Sequence, residues 1–252
     1  MAAKKTMMLF DMDGTLTLPR KLITSDVQAF LREVRKTVSI GLVGGSDLPK
    51  ILEQMNGDFE TVSSSFDYLF SQNGLIGFRG SKPLKTESVL SKLGETNLQA
   101  LINHCLHYIA DVSLPAKRGH FIEFRQSMIN VSPIGRLCTQ AERDAFTEYD
   151  KKHNIRPKMV ESLQKKFPRD EYGLQFSIGG QISIDIFPIG WDKSYCLQFL
   201  QSDGYDVIHF FGDKTMPGGN DHEIFADDRT IGHTVVGPED TVKQVKEVLA
   251  VM

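Results

Sequence analysis

Apolar residues recur along this chain with two different periods, and the switches between them divide it. Met7-Met8-Leu9-Phe10 is an unbroken apolar run of the kind found in a strand buried on both faces. Val27, Phe30, Leu31 and Val34 fall at i, i+3, i+4 and i+7, which predicts an amphipathic helix with Thr24 or Ser25 as its N-cap. A second strand is expected over Val38 to Val43. Gly44-Gly45 interrupts it, and Ser46-Asp47 stands where the next helix would be capped. Strand, helix, strand, helix predicts a parallel sheet with right-handed crossovers.

The rhythm changes near Gly80-Ser81-Lys82-Pro83. Leu98, Leu101, Ile102, Cys105, Leu106 and Ile109 form a long helical stripe. Phe121 to Arg125 and Met128 to Ser132 read as strands joined by a tight Gln126-Ser127 link. Leu174 to Ile178 and Ile182 to Phe187 flank Gly179-Gly180-Gln181 as a second hairpin. Helices are expected between the hairpins, over Gln140 to Lys151 and Arg156 to Phe167. From Trp191 the first rhythm returns, with a helix from Asp192, strands over Val207 to Phe211 and Thr234 to Val236, and a last helix carrying Val242, Val245 and Leu249. The expected architecture is an α/β core in two segments, 1–82 and 191–252, interrupted at 83–190 by an inserted α+β cap with an antiparallel sheet. An insert of about 100 residues is an ordinary domain size.

Composition narrows the function classes. A chain of 252 residues with 40% hydrophobic and 24% charged residues is that of a globular protein with ample core. A formal charge of −3 leaves no broad basic footprint, so no nucleic-acid partner is expected. No apolar run approaches a membrane span, and no long apolar segment accompanies Lys4 and Lys5 near the start, so no membrane partner and a cytoplasmic location are expected. Cys105, Cys138 and Cys196 are widely spaced and form no C-x-x-C pair, which suggests neither a zinc site nor a disulfide framework. The histidines show no ligand spacing.

The chemistry concentrates where the first strand ends. Asp11 and Asp13 stand at i and i+2, on the same face of an extended chain, and Gly14 lets the backbone turn away. One carboxylate can attack while the other moves a proton, provided their environments push the pKa values apart. Read alone, the string is equally compatible with an acidic turn. A calcium loop fits worse, because Gly14 falls at the fourth position and Thr15 replaces the third acid. Further strand ends and helix starts bring Ser46, Lys193, Asp213 and Asp221 into consideration, and acids with a hydroxyl and an amine at one sheet edge suit Mg²⁺-assisted phosphoryl transfer.

Phe10-Asp11-Met12-Asp13-Gly14-Thr15-Leu16-Thr17, with a later Ser, a Lys and a distal Gly-Asp, resembles the haloacid dehalogenase superfamily of aspartyl phosphotransferases. Val43 to Asp47, Asn130 to Arg136 and above all the string Phe211 to Phe225 resemble the eukaryotic phosphomannomutase family over nearly the whole chain. The resemblance implies a Rossmann-like core with an inserted cap. It makes Asp11 the nucleophile and Asp13 the general acid and base, with Ser46 and Lys193 on the transferring phosphoryl oxygens. Asp11, the carbonyl of Asp13 and Asp213 would hold Mg²⁺, and Asp221 would orient Lys193. Arg125, Arg136 and Arg143 would clamp the other phosphate, Ser183 and Asp185 would bind it or the sugar, and Arg20 would reach the substrate from the core. Arg118 and Gln181 are lesser candidates. Phe225, Asp227 and Thr230 would hold a second cation; their sequence alone reads as a polar loop at a helix end.

On this resemblance the activity is interconversion of mannose 6-phosphate and mannose 1-phosphate, with a hexose 1,6-bisphosphate as intermediate and activator. A hexose monophosphate is the expected substrate, and a homodimer through the cap and a role in GDP-mannose supply and glycosylation are implied. A sugar-phosphate phosphatase on the same core and a non-catalytic sugar-phosphate sensor are the alternatives.

Overall fold

The computed structural model describes residues 4–252, and the chain separates into two compact units, one of Met1–Thr86 with Gly190–Met252 and one of Glu87–Ile189. The first three residues of the expected core lie outside the described residues.

The first unit is an α/β sheet. Its first segment carries β1 (Thr6–Phe10), α1 (Ser25–Arg35), β2 (Ser39–Val43), α2 (Leu48–Gln54), α3 (Phe59–Ser65), β3 (Tyr68–Ser71), β4 (Ile76–Arg79) and β5 (Lys82–Pro83). The division after Thr86 thus falls beyond the expected boundary, because β5 pairs with β4 and belongs to the core sheet. The second, inserted unit carries α4 (Val89–Asp111), β6 (Ile122–Phe124), β7 (Ile129–Val131), α5 (Gln140–His153), α6 (Ile155–Lys166), α7 (Arg169–Tyr172), β8 (Leu174–Gly179) and β9 (Ser183–Pro188). The α/β unit then resumes with a 3₁₀ turn over Lys193–Cys196, α8 (Leu197–Ser202), β10 (Val207–Gly212), α9 (His222–Phe225), β11 (Ile231–Thr234) and α10 (Pro238–Ala250).

The seven strands of the large sheet run β11-β10-β1-β2-β3-β4-β5, parallel from β11 to β3 and antiparallel at β4 and β5. Met8 and Phe10 of β1 join Ile40, Leu42 and Phe211 in one core with α1 and α10. Met7 and Leu9 join Ile208, Phe210, Leu197 and Leu200 in another on the opposite face. This explains the unbroken apolar run, since a central parallel strand buries both faces. Thr24 caps α1 by accepting from the Val27 N–H. Asp47 stands at the N-cap of α2, but its side chain makes no capping bond.

The last strand differs from expectation. Val235 is buried, but Val236 is 90% exposed and leads into Gly237 and the Pro238 helix start, so β11 ends at Thr234. The expected helix at Asp192 opens as a 3₁₀ turn in which Asp192 accepts from the Ser194 N–H. In the inserted unit the antiparallel order is β6-β7-β9-β8. Ile134, Phe146, Ile155 and Ile182 pack together there, and α5 is opened by a reciprocal capping box between Thr139 and Glu142.

Candidate active site

β1 lies between β10 and β2, and the chain leaves it in opposite directions to reach those neighbours. Such a reversal opens a crevice at the carboxyl ends of the strands. Asp11 follows β1 directly, its N–H donating to the Phe211 carbonyl at 2.9 Å. The next residues wind tightly. Gly14 donates to the Thr17 carbonyl at 2.7 Å, and Leu16 and Thr17 donate to the Met12 carbonyl at 3.0 Å. Gly14 has φ +82°, and a Cβ there would sit 2.3 Å from Oδ2 of Asp213. Only glycine fits this approach of turn and carboxylate. Asp11, Asp13, Gly44, Gly45, Ser46, Lys214 and Asn220 line a cavity of about 220 Å³ at this strand edge.

Behind the cavity lies a buried ion cluster. Lys193, with 0% of its side chain exposed, donates to Oδ1 of Asp11 and, at 2.6 Å, to Oδ1 of Asp221. The other oxygen of Asp221 accepts the Lys214 N–H at 3.0 Å, so that carboxylate is fully engaged in fixing its neighbours. Burial pushes the Asp11 carboxyl up to about 6 against the opposing pull of Lys193. Burial also works against the charged Lys193, but the carboxylates of Asp11 and Asp221 outweigh it and keep the ammonium protonated. Burial raises the Asp213 pKa as well, and its Oδ1 is enclosed without a hydrogen-bond partner among the described residues. Oxygens of Asp11, Asp213 and Asp221 lie within 4.8 Å of one another. An orphaned buried oxygen in an all-oxygen donor set fits a hard divalent cation.

Asp13 is half-buried, and its Oδ1 accepts both the Arg20 N–H and Nε2 of Gln54, each at 2.8 Å. Arg20 is exposed and adopts φ 60°, the left-handed region, in presenting that N–H. Gln54, absent from the sequence reading, is 4% exposed. Its signal was a polar residue at i+3 from the buried Ile51 on the same helix face.

The residues expected in the insert assemble separately, by strand register. Glu123 pairs with Asn130, and Asn130 with Asp185, which sets three polar side chains in a row across β6, β7 and β9. The Asn130 amide donates to Asp185 at 2.5 Å and its carbonyl accepts Arg136 at 2.7 Å. Arg125 pairs with Glu123, Arg136 approaches the same carboxylate at 3.4 Å, and Arg143 donates to the Arg136 carbonyl at 3.1 Å. Ser183 is buried on the same strand as Asp185. Nearby, Arg156 forms a buried pair with Asp150 at 2.7 Å and donates to the Gly180 carbonyl at 2.9 Å, anchoring the β8–β9 turn. Arg118 instead pairs with Glu142 at 2.6 Å, and Gln181 bonds Gln140 and Asp144 at 3.1 and 3.0 Å.

Phe225 ends α9, and Asp227 and Thr230 fall in the loop after it, but Arg229 grips Asp227 at 2.7 and 2.6 Å and lowers its pKa. The Thr230 hydroxyl donates to the Ile224 carbonyl at 2.6 Å, leaving its own carbonyl as the expected ligand. As found, the Asp227 carboxylate is paired with Arg229. All three cysteines are free and buried, and no helix among the described residues is long and apolar enough to cross a membrane.

A model of the eukaryotic phosphomannomutase family matches residues 27–251. This chain belongs to that family. It is 57% identical over 249 residues to a probable phosphomannomutase of Caenorhabditis elegans, covering 98% of this chain and 97% of that protein. It is 59% identical over 238 residues to a Glycine max phosphomannomutase, covering 94% of each, and 53% identical over 244 residues to that of Schizosaccharomyces pombe, covering 97% and 94%. Among solved structures, an IMP-nucleotidase of Plasmodium falciparum aligns with TM-score 0.66 at 14% identity, covering 98% of this chain and 62% of that one. A trehalose-6-phosphate phosphatase of Aspergillus fumigatus aligns with TM-score 0.59 at 13% identity, covering 97% and 92%. At such identities the likeness shows the shared fold alone.

Proposed function

We propose that this chain is an enzyme that interconverts mannose 6-phosphate and mannose 1-phosphate. The observation that carries the reading is the enclosed Asp11–Lys193–Asp221 cluster, opening on a cavity that Asp13 and Ser46 also line, in a chain of this family. Asp11 is the nucleophile. With Asp11 phosphorylated, a sugar hydroxyl oxygen attacks the phosphorus, the acyl phosphate bond breaks, and Asp13 takes the hydroxyl proton. The hexose 1,6-bisphosphate then presents its other phosphate. Asp11 attacks that phosphorus, the sugar P–O bond breaks, and Asp13 returns the proton to the leaving oxygen.

Ser46 and Lys193 hold the transferring phosphoryl oxygens, and Asp221 orients Lys193. Mg²⁺ would be held by Asp11, the Asp13 carbonyl and Asp213, and when bound it neutralises repulsion between carboxylate and phosphate. A cation at the carbonyls of Phe225 and Thr230 with Asp227 would take the place of Arg229. Arg125, Arg136 and Arg143 suit the phosphate not being transferred, since guanidinium forks bind phosphate in pairs. Ser183 and Asp185 serve that phosphate or the sugar hydroxyls, and Arg20 serves the substrate from the α/β unit. The same reading includes a homodimer through the inserted unit, a cytoplasmic location and a role in GDP-mannose supply for glycosylation.

The test is incubation of mannose 1-phosphate with Mg²⁺ and a catalytic amount of hexose 1,6-bisphosphate, following mannose 6-phosphate and inorganic phosphate together. Isomerisation outpacing phosphate release is expected. Release of phosphate as the main product would establish a phosphatase, and no reaction would leave a sugar-phosphate sensor.

A further inference from the structure

Gln54 closes α2 with its side chain buried, 4% exposed. Its Nε2 donates to Oδ1 of Asp13 at 2.8 Å and reaches the Lys21 carbonyl at 3.4 Å. Its own backbone carbonyl accepts the Ile23 N–H at 2.8 Å. The end of α2 is therefore fastened to the Asp13–Ile23 segment at three points. The remaining polar atom, Oε1, is buried without a hydrogen-bond partner among the described residues. A buried amide with an unpaired carbonyl carries a desolvation cost that a methionine of similar shape would avoid. Stability alone does not account for glutamine at this position.

The two bonds to Asp13 converge on one oxygen. Oδ1 accepts both the Arg20 N–H and Gln54 Nε2, and Oδ2 has no partner among the described residues. The Arg20 backbone adopts the left-handed region to make its contribution. We infer that Gln54 is the positioning residue of the proton-transfer step: with the Arg20 N–H it pins Oδ1 of Asp13 and thereby assigns Oδ2 to the reacting sugar oxygen. This rests on the reading of Asp13 as general acid and base. The proton moves between Oδ2 and the sugar oxygen, and Gln54 touches neither.

The experiment separates proton transfer from phosphoryl transfer by changing the leaving group. A sugar alkoxide needs a proton to leave, whereas p-nitrophenolate does not. The full chain and its Gln54→Met, Asp13→Asn and double variants are mixed with Mg²⁺ and either hexose 1,6-bisphosphate or p-nitrophenyl phosphate, and the rate of the first phosphorylation of Asp11 is recorded. Gln54→Met is expected to lower the sugar-dependent rate and kcat about ten- to thirtyfold, with KM within about twofold, because a bond to a charged group acting in the transition state is lost. Its nitrophenolate burst should stay within about threefold, its thermal midpoint should not fall, and the double variant should be no slower than Asp13→Asn alone.

Equal slowing with both donors, a lowered midpoint, or multiplicative losses in the double variant would overturn the inference and leave Gln54 a structural clasp. So would a Gln54→Met sugar rate equal to the parent's while Asp13→Asn is slow. If Asp13→Asn itself transfers from the sugar at the parent rate, the acid–base reading falls first and takes this inference with it.

Discussion

The two units gather opposite charges under contrasting conditions. In the α/β unit, Lys193 and Asp221 are fully enclosed and Asp11 nearly so, each ion held by the next. In the inserted unit, Arg125, Arg136 and Glu123 keep 37%, 33% and 43% of their side-chain surface in water. Charges enclosed in this way gain strength and direction, but they cost stability, because desolvation must be offset within the cluster. Charges on an open sheet face are screened and free to exchange partners. The first arrangement suits a reaction centre, and the second suits a surface that gives up one anion, Glu123, for another.

The largest effect to expect comes from the enclosed site. Asp11→Asn should abolish turnover, since an amide forms no acyl phosphate, and mass spectrometry after exposure to bisphosphate should find no phosphoenzyme. The same change should stabilise the fold. Asp11 is shifted from 3.8 to about 6. Between those values the folded protein holds a proton that the unfolded chain has released, so stability falls as pH rises through that window. Without metal, the variant should melt above the parent at about pH 7.5, and the gap should close as pH falls below about 6. A variant that melts lower at every pH breaks the contrast drawn here.

Next in size, Lys193→Met leaves Asp11 and Asp221 as unpaired buried acids, which should cost about 3–5 kcal/mol in a denaturant titration. Adding Asp221→Leu should recover part of that loss and no activity. The inserted unit should respond more gently. Arg136→Ala should weaken hexose phosphate binding about ten- to a hundredfold, and more at low salt than at high, with a larger share of phosphoenzyme lost to water. A salt-independent loss would show that the cluster becomes enclosed when loaded. Smallest of all, Glu123→Gln frees Arg125 and Arg136 and should tighten phosphate binding about two- to fivefold by calorimetry.

How much of this was legible in the sequence follows the same divide. Asp11 and Asp13 were readable because their relation is local, two residues apart at the end of an apolar run. Lys193 was not, except through the family resemblance. It contacts Asp11 across 182 residues of chain, and lysines are ordinarily exposed. Glu123 and Asn130 were missed because only the register of β6 against β7 makes them neighbours. Gln54 was passed over because its meaning lies in what the helix end packs against. The last strand was misplaced toward Val235-Val236, where local hydrophobicity competed with a turn at Gly237 that leaves Val236 in solvent. The strands β3 to β5 carried no expectation at all, although Tyr68 to Ser71 are all buried.

The interrupted layout of the α/β sheet has a consequence for how the chain is made. β1 pairs with β2 on one side, but its other neighbour is β10, with Thr6 against Val207 and Phe10 against Phe211. On a ribosome adding about 5–20 residues each second, β1 therefore waits many seconds for its second partner. The Glu87–Ile189 unit is continuous and emerges complete before then. Until β10 arrives, the open edge of β1, flanked by Met7, Met8, Leu9 and Phe10, offers nascent chains a place to pair wrongly. Assembly of the Asp11–Lys193–Asp221 cluster is thus deferred until β10 and the residues after it have emerged, and the yield of folded protein depends on how well that edge is shielded while it waits.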